Sequence, residues 1–209
     1  MDISAQEGDR PGRPLRHIAI LLFPGVEELD AIGPWEVLAY WTRNFPEDGW
    51  RVSCVSRDGG PVECAKGLTV HAHHSWASAP APEVVIHPGG QGTRPLLADE
   101  EHLARVRELA ASVPLMAGVC TGALVYAKAG LLRGRPVTTH WASLDLLAEL
   151  EPTAEVRRED RFVDDGDVIT SAGISAGMDM ALHLVSRLSS VERARRVRRG
   201  IQYDPQPPV

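Results

Sequence analysis

Residues 115–129 read LMAGVCTGALVYAKA, and the change of character at Cys120 decides the fold. Residues 115–119 form a short apolar run behind Pro114, the pattern of a buried strand. Residues 121–129 are apolar and rich in alanine, the pattern of a helix, and Gly130 closes it. A strand that passes directly into a helix, with Gly118 and Gly122 flanking the apex, is the pattern of a nucleophile elbow. Small neighbours let the chain turn abruptly, so the apex side chain projects above the sheet edge. The N–H groups of the following helix then favour thiolate, which predicts a lowered thiol pKa at Cys120. A buried structural cysteine is the competing role.

The same alternation runs outward from this stretch. Residues 17–23, 50–56 and 83–87 are strand-like, and each run stops at a Pro or Gly cluster: Pro24-Gly25, Asp58-Gly59-Gly60-Pro61 and Pro88-Gly89-Gly90. Helical periodicity begins at Leu29 and returns over residues 99–112, 142–150 and 178–188. Residues 62–72, around Lys66-Gly67, and 162–171, around Asp165-Gly166, carry hairpin signals. Residues 136–140 read as a further strand. Strands and helices alternating at these lengths predict an α/β fold: a doubly wound, mostly parallel sheet sandwiched by helices. Residues 1–16 read as a loose polar tail and 17–209 as one domain.

Composition narrows the function classes. The chain has 209 residues and a net charge of -6, which argues against a phosphate-neutralising surface and so against a nucleic-acid partner. No apolar run is long enough to span a bilayer, and residues 1–16 lack the apolar core of a secretory signal. Three scattered cysteines, Cys54, Cys64 and Cys120, predict free thiols in a reducing cytoplasm. His71, His73 and His74 have no matching acidic or cysteine ligand, so no metal is expected.

Other residues fall where strands end. Asp30 follows the first strand, and a carboxyl at that sheet edge reaches a nucleophile on a neighbouring strand as general acid or base, or else stabilises a helix N-terminus. Gly89 and Gly90 offer bare amides to developing negative charge, or form a simple turn. His140 is a candidate proton carrier. Trp35 and Trp141 are candidate apolar walls for a substrate, with core packing as the commoner role. Ser175, in GISAG, matches a serine elbow but reads better as a helix cap, because no downstream His suits the hydrolase order. The arginines from Arg193 to Arg199 read as a solvated helix face.

These segments carry a resemblance. LLFPGVEELDAIGPWEVL, HPGGQG, VCTGALVYAKAGLLRGRPVTTHWASLDLL, DGDVITSAGISAGMDMAL and RGIQYDPQPP together resemble the ThiJ/PfpI family of the class I glutamine-amidotransferase-like superfamily, nearest its isonitrile-hydrating branch. The resemblance implies a flavodoxin-like sandwich and a homodimer. It implies Cys120 as nucleophile, Asp30 as its acid/base partner and Thr121 beside the cysteine. The substrate would be a small molecule, an isonitrile hydrated to a formamide through a thioimidate without a cofactor. Peptidase members carry His where this chain has Thr121, and glyoxalase and deglycase members carry Glu in place of Asp30. Glyoxalase chemistry on α-oxoaldehydes and a non-catalytic cysteine sensor are the alternatives. His87 stands where the family usually has an aliphatic residue. Relatives that regulate transcription add a helix-turn-helix half, which is not expected here.

Overall fold

The computed structural model describes residues 15–206; the expected tail lies outside them except for Leu15 and Arg16. The chain runs β1 (Arg16–Leu21), α1 (Glu28–Asn44), β2 (Trp50–Ser56), β3 (Pro61–Glu63), β4 (Thr69–His71), β5 (His74–Ser75) and β6 (Val84–His87). It continues through α2 (Thr93–Leu96), α3 (Glu100–Ser112), β7 (Leu115–Val119), α4 (Gly122–Ala129), β8 (Pro136–Val137), α5 (Leu144–Leu150) and β9 (Glu155–Val156). It closes with β10 (Phe162–Asp164), β11 (Val168–Ser171), α6 (Ala176–Leu188) and α7 (Val191–Gly200).

The main sheet has the order β10-β11-β7-β6-β1-β2-β5. Every neighbouring pair is parallel except β10 with β11, which form the hairpin expected around Asp165-Gly166. β3 and β4 make the second expected hairpin. Helices α1, α6 and α7 pack together, as do α3, α4 and α5, giving the two helical layers. With both faces covered, the inner strands are buried along their length, and β7 is buried at all five positions. That is why these strands read as continuous apolar runs rather than alternating ones.

From β1 the chain moves outward to β2, then returns to place β6 on the other side of β1. The switch point therefore lies between β1 and β6, where ligands bind outside the carboxyl ends of parallel strands. Pro24-Gly25, Pro88-Gly89-Gly90 and Cys120 all follow strands at that edge.

Residues 136–140 depart from expectation. The strand ends at Val137 and pairs with β9 in a separate two-stranded sheet. Thr138 instead gives its N–H to the Thr170 hydroxyl at 2.9 Å, and the Thr139 hydroxyl bonds the Cys120 carbonyl at 2.7 Å. Side-chain bonds replace the ladder there. β5, β9 and α2 are too short to leave a periodic signal. Among the described residues no helix is long and apolar enough to cross a membrane.

Candidate active site

Cys120 occupies the left-handed region at φ 55, the sharp turn an elbow requires. Its N–H bonds the Ser171 carbonyl of β11 at 3.1 Å, and its carbonyl accepts from Thr139. Gly122 lets α4 start close against β6: a Cβ there would lie 2.1 Å from the His87 carbonyl oxygen. The thiol is buried, with 5% exposure.

Asp30, in the first turn of α1, is fully buried. Its Oδ2 accepts the Gly89 N–H at 3.1 Å. Its Oδ1 is buried without a nitrogen or oxygen partner among the described residues. Burial pushes the carboxyl up to about 7, opposed by the nearby Cys120 thiol and the Gly89 and Ile174 amides; the Glu27 charge adds to the rise. Burial, then the Asp30 charge, pushes the Cys120 thiol up to about 12, while the Thr121 and Ile174 amides oppose the shift. The lowered pKa expected from the helix is therefore not found, because desolvation and a facing carboxylate outweigh two amide dipoles. Thiol and carboxyl form a coupled buried pair.

Gly89 and Gly90 do not present bare amides. The Gly89 N–H goes to Asp30, and the Gly90 N–H bonds the Thr121 hydroxyl at 2.9 Å. Gly89 sits so tightly that a Cβ would lie 2.5 Å from the Thr121 nitrogen and 2.9 Å from Asp30 Oδ2. Thr121 also accepts from the Thr93 hydroxyl at 3.1 Å. Its hydroxyl is thus a clamp between the start of α4 and the loop after β6.

Ile174 is the residue that sequence reasoning missed. It also lies in the left-handed region, at φ 54, which a β-branched side chain rarely adopts. Its amide acts on both Asp30 and Cys120. The GISAG segment signals this second strand-to-helix turn, but its pattern singles out Ser175 and not Ile174. Ser175 is not a side-chain cap: its backbone is already helical, at φ -67 and ψ -23, and no cap hydrogen bond forms. Its hydroxyl accepts from Arg161 at 3.4 Å instead.

The remaining candidates scatter. His140 accepts the Ala142 N–H at 3.3 Å, and its ring lies against Gly173, where a Cβ would fall 2.2 Å from ring carbon Cδ2. That places it one residue from Ile174. Trp141 is 78% exposed, so the core role is corrected: it follows His140 onto a surface turn. Trp35 lies five residues after Asp30, about 140° around the helix, and stacks on His73 with ring centroids 4.9 Å apart. It faces away from the Cys120–Asp30 pair. His73 Nδ1 accepts the Cys54 N–H. Arg193 pairs with Glu47 and Asp48, and Arg198 with Asp204.

Comparison with known proteins adds to this geometry. The model of the DJ-1/PfpI family matches residues 16–187. Isonitrile hydratase of Pseudomonas putida is 40% identical over 191 residues, which span 91% of this chain and 80% of the relative. The HTH-type transcriptional regulator CdhR of Pseudomonas aeruginosa is 33% identical over 168 residues, 80% of this chain but 49% of the regulator. A THiJ/PfpI family protein from Pseudomonas syringae superposes with a TM-score of 0.84 at 30% identity, covering 100% of this chain and 84% of that one.

Proposed function

The chain belongs to the DJ-1/PfpI family, and on that premise we propose that it adds water to an isonitrile to give an N-substituted formamide. The observation that carries this reading is the buried pair: a thiol and a carboxyl buried together and electrostatically coupled, the carboxyl raised to about 7. Likeness to the Pseudomonas putida hydratase supports the choice of substrate. A carboxyl with a pKa near the working pH gives and takes a proton readily.

Asp30 carboxylate takes the thiol proton as the Cys120 sulfur attacks the terminal isonitrile carbon. The new acid returns that proton to the same carbon, leaving a thioimidate on Cys120. Asp30 carboxylate then draws a proton from water as the water oxygen attacks the thioimidate carbon, hands that proton to the nitrogen, and takes the remaining hydroxyl proton as the carbonyl forms. The C–S bond breaks, the sulfur recovers its proton from Asp30, and the formamide leaves. One water is added, no electrons are gained or lost, and no cofactor enters. A covalent intermediate splits one difficult addition into two easier ones. The Thr121 and Ile174 amides stabilise the sulfur as its charge develops. Thr121 holds the Gly89-Gly90 loop against the pair, and His140 supports the Ile174 turn through Gly173. A homodimer in a reducing cytoplasm fits the family likeness and the three free cysteines.

Incubation with cyclohexyl isocyanide and, separately, with methylglyoxal tests the proposal. N-cyclohexylformamide is expected from the protein and not from Cys120→Ala. Lactate without formamide would move the reaction to α-oxoaldehydes, and neither product would remove the enzyme reading.

A further inference from the structure

A cavity that does not include Cys120 or Asp30 lies beside the loops that follow β1 and β2. It has a volume of about 350 Å³ and opens beyond the C-terminal ends of β1 and β2, the sheet edge that α/β proteins use for ligands. Its size falls in the usual range for small-molecule sites. Phe23, Trp76 and Leu96 form apolar walls, and Arg57, Asp99 and His102 are its polar lining.

His102 makes this cavity more than a gap in the packing. The side chain is buried, with 3% exposure, and its Nε2 lies 2.8 Å from His87 Nε2. His87 Nδ1 lies 2.8 Å from the Pro88 carbonyl oxygen, which can only accept, so Nδ1 carries the His87 proton. Burial holds both rings neutral, His87 at about 3 and His102 at about 4. His87 Nε2 is therefore bare and accepts from His102 Nε2–H. This leaves His102 Nδ1 bare as well, with no hydrogen-bond partner among the described residues. A chain of fixed tautomers thus delivers an unpaired acceptor to a residue that lines the cavity.

Arg57 is already engaged: it pairs with Asp99 at 2.5 Å and lies over the Trp76 ring, 4.9 Å from its centroid. Asp58 also lines the cavity, so the rim leans acidic. Anions are disfavoured, and a neutral molecule with a donor is favoured.

We propose that this cavity binds a small planar molecule with an apolar ring and an N–H donor, the donor bonding His102 Nδ1. The site is independent of the isonitrile chemistry, since an isonitrile has no hydrogen to offer. It also adjoins the catalytic loop: Gly92, in its wall, donates its N–H to the Gly25 carbonyl in the loop that follows β1, and the His87 chain ends on Pro88, next to Gly89.

Benzamide serves as the probe, with methyl benzoate as the analogue of similar shape that lacks a donor. Nitrogen-15 NMR of the full chain reports the ring nitrogens of His102 directly. In the free protein Nδ1 should appear unprotonated. Benzamide should shift that signal and bind about fivefold or more tightly than methyl benzoate, the scale of one hydrogen bond. Trp76→Ala, at a half-buried position, should weaken both probes. A protonated Nδ1 in the free protein would overturn the proposal, as would equal binding of the two probes or no shift at His102 with millimolar benzamide. Burial of the Trp76 and Leu96 face by a second copy of the chain in solution would overturn it too. No readout depends on turnover, so failure of the hydratase assay leaves this test intact.

Discussion

Cys120 and Ile174 face each other from neighbouring strand-to-helix turns in the same left-handed conformation, at φ 55 and 54, and the Ile174 amide acts on the Cys120 sulfur. Each costs roughly 1–2 kcal/mol of backbone strain. Cys120 is held by the Ser171 carbonyl and the Thr139 hydroxyl. Two strained turns converge on one sulfur, and the Asp30 carboxyl closes the third side.

Asp30 costs stability when ionised. Its unfolded value is 3.8 and its folded value is about 7, so the folded state binds the extra proton between these limits. Stability contributed by the neutral carboxyl is lost as pH rises from about 4 to about 7 and stays lost above. Asp30→Asn should match the parent in urea unfolding near pH 4 and be more stable above pH 7, by a few kcal/mol at most. Equal stability at both pH values would show that the carboxyl is not raised.

Turnover should follow the same titration. The pair acts with one proton shared between sulfur and carboxyl, so kcat/KM for isonitrile should rise through about pH 7. Asp30→Asn should lose 10²-fold or more, the ordinary scale of general acid–base catalysis. A flat profile from about pH 5 to 9 would take Asp30 out of the proton path.

Gly89→Ala should break the site without touching Cys120. The added Cβ meets the Thr121 backbone nitrogen and the Asp30 carboxyl, neither of which can yield cheaply. Overpacking of this kind costs about 1–3 kcal/mol. Moving Asp30 by about an ångström should reduce kcat about 10²-fold. A folded Gly89→Ala with parental kcat would show that the loop does not position the carboxyl.

Ser175→Ala should change stability by no more than about 0.5 kcal/mol, because no cap bond is lost. A loss of about 1 kcal/mol or more in thermal unfolding would restore the capping role.

His140→Ala separates two chemistries. Its ring supports Gly173 and touches neither Asp30 nor Cys120 through a hydrogen bond. Formamide production should fall less than about tenfold, whereas a proton carrier for α-oxoaldehydes would cost 10² or more.

Local signals made much of this legible. Leu115 to Ala129 carries the strand, the apex and the helix in adjacent residues, and the two hairpins announce themselves by Lys66-Gly67 and Asp165-Gly166. Asp30 was readable because the end of a first strand is a defined place in a doubly wound sheet. What escaped depends on partners far along the chain. The Gly89 and Gly90 amides look free until Asp30, 59 residues away, and Thr121, 31 away, are placed against them. Trp35 looks like a pocket wall until it meets His73. Ile174 looks like core because nothing in an isoleucine advertises a positive φ.

The two ends of the main sheet bear on self-association. One edge is β5, two residues long, and the other is β10, three residues long and antiparallel to the rest. Such stubs offer few unpaired backbone groups to an incoming strand, so they resist templated growth into extended cross-chain sheets. Two copies of this chain therefore have little to gain by joining sheet to sheet, and any lasting dimer has to be built from side chains on helices and loops.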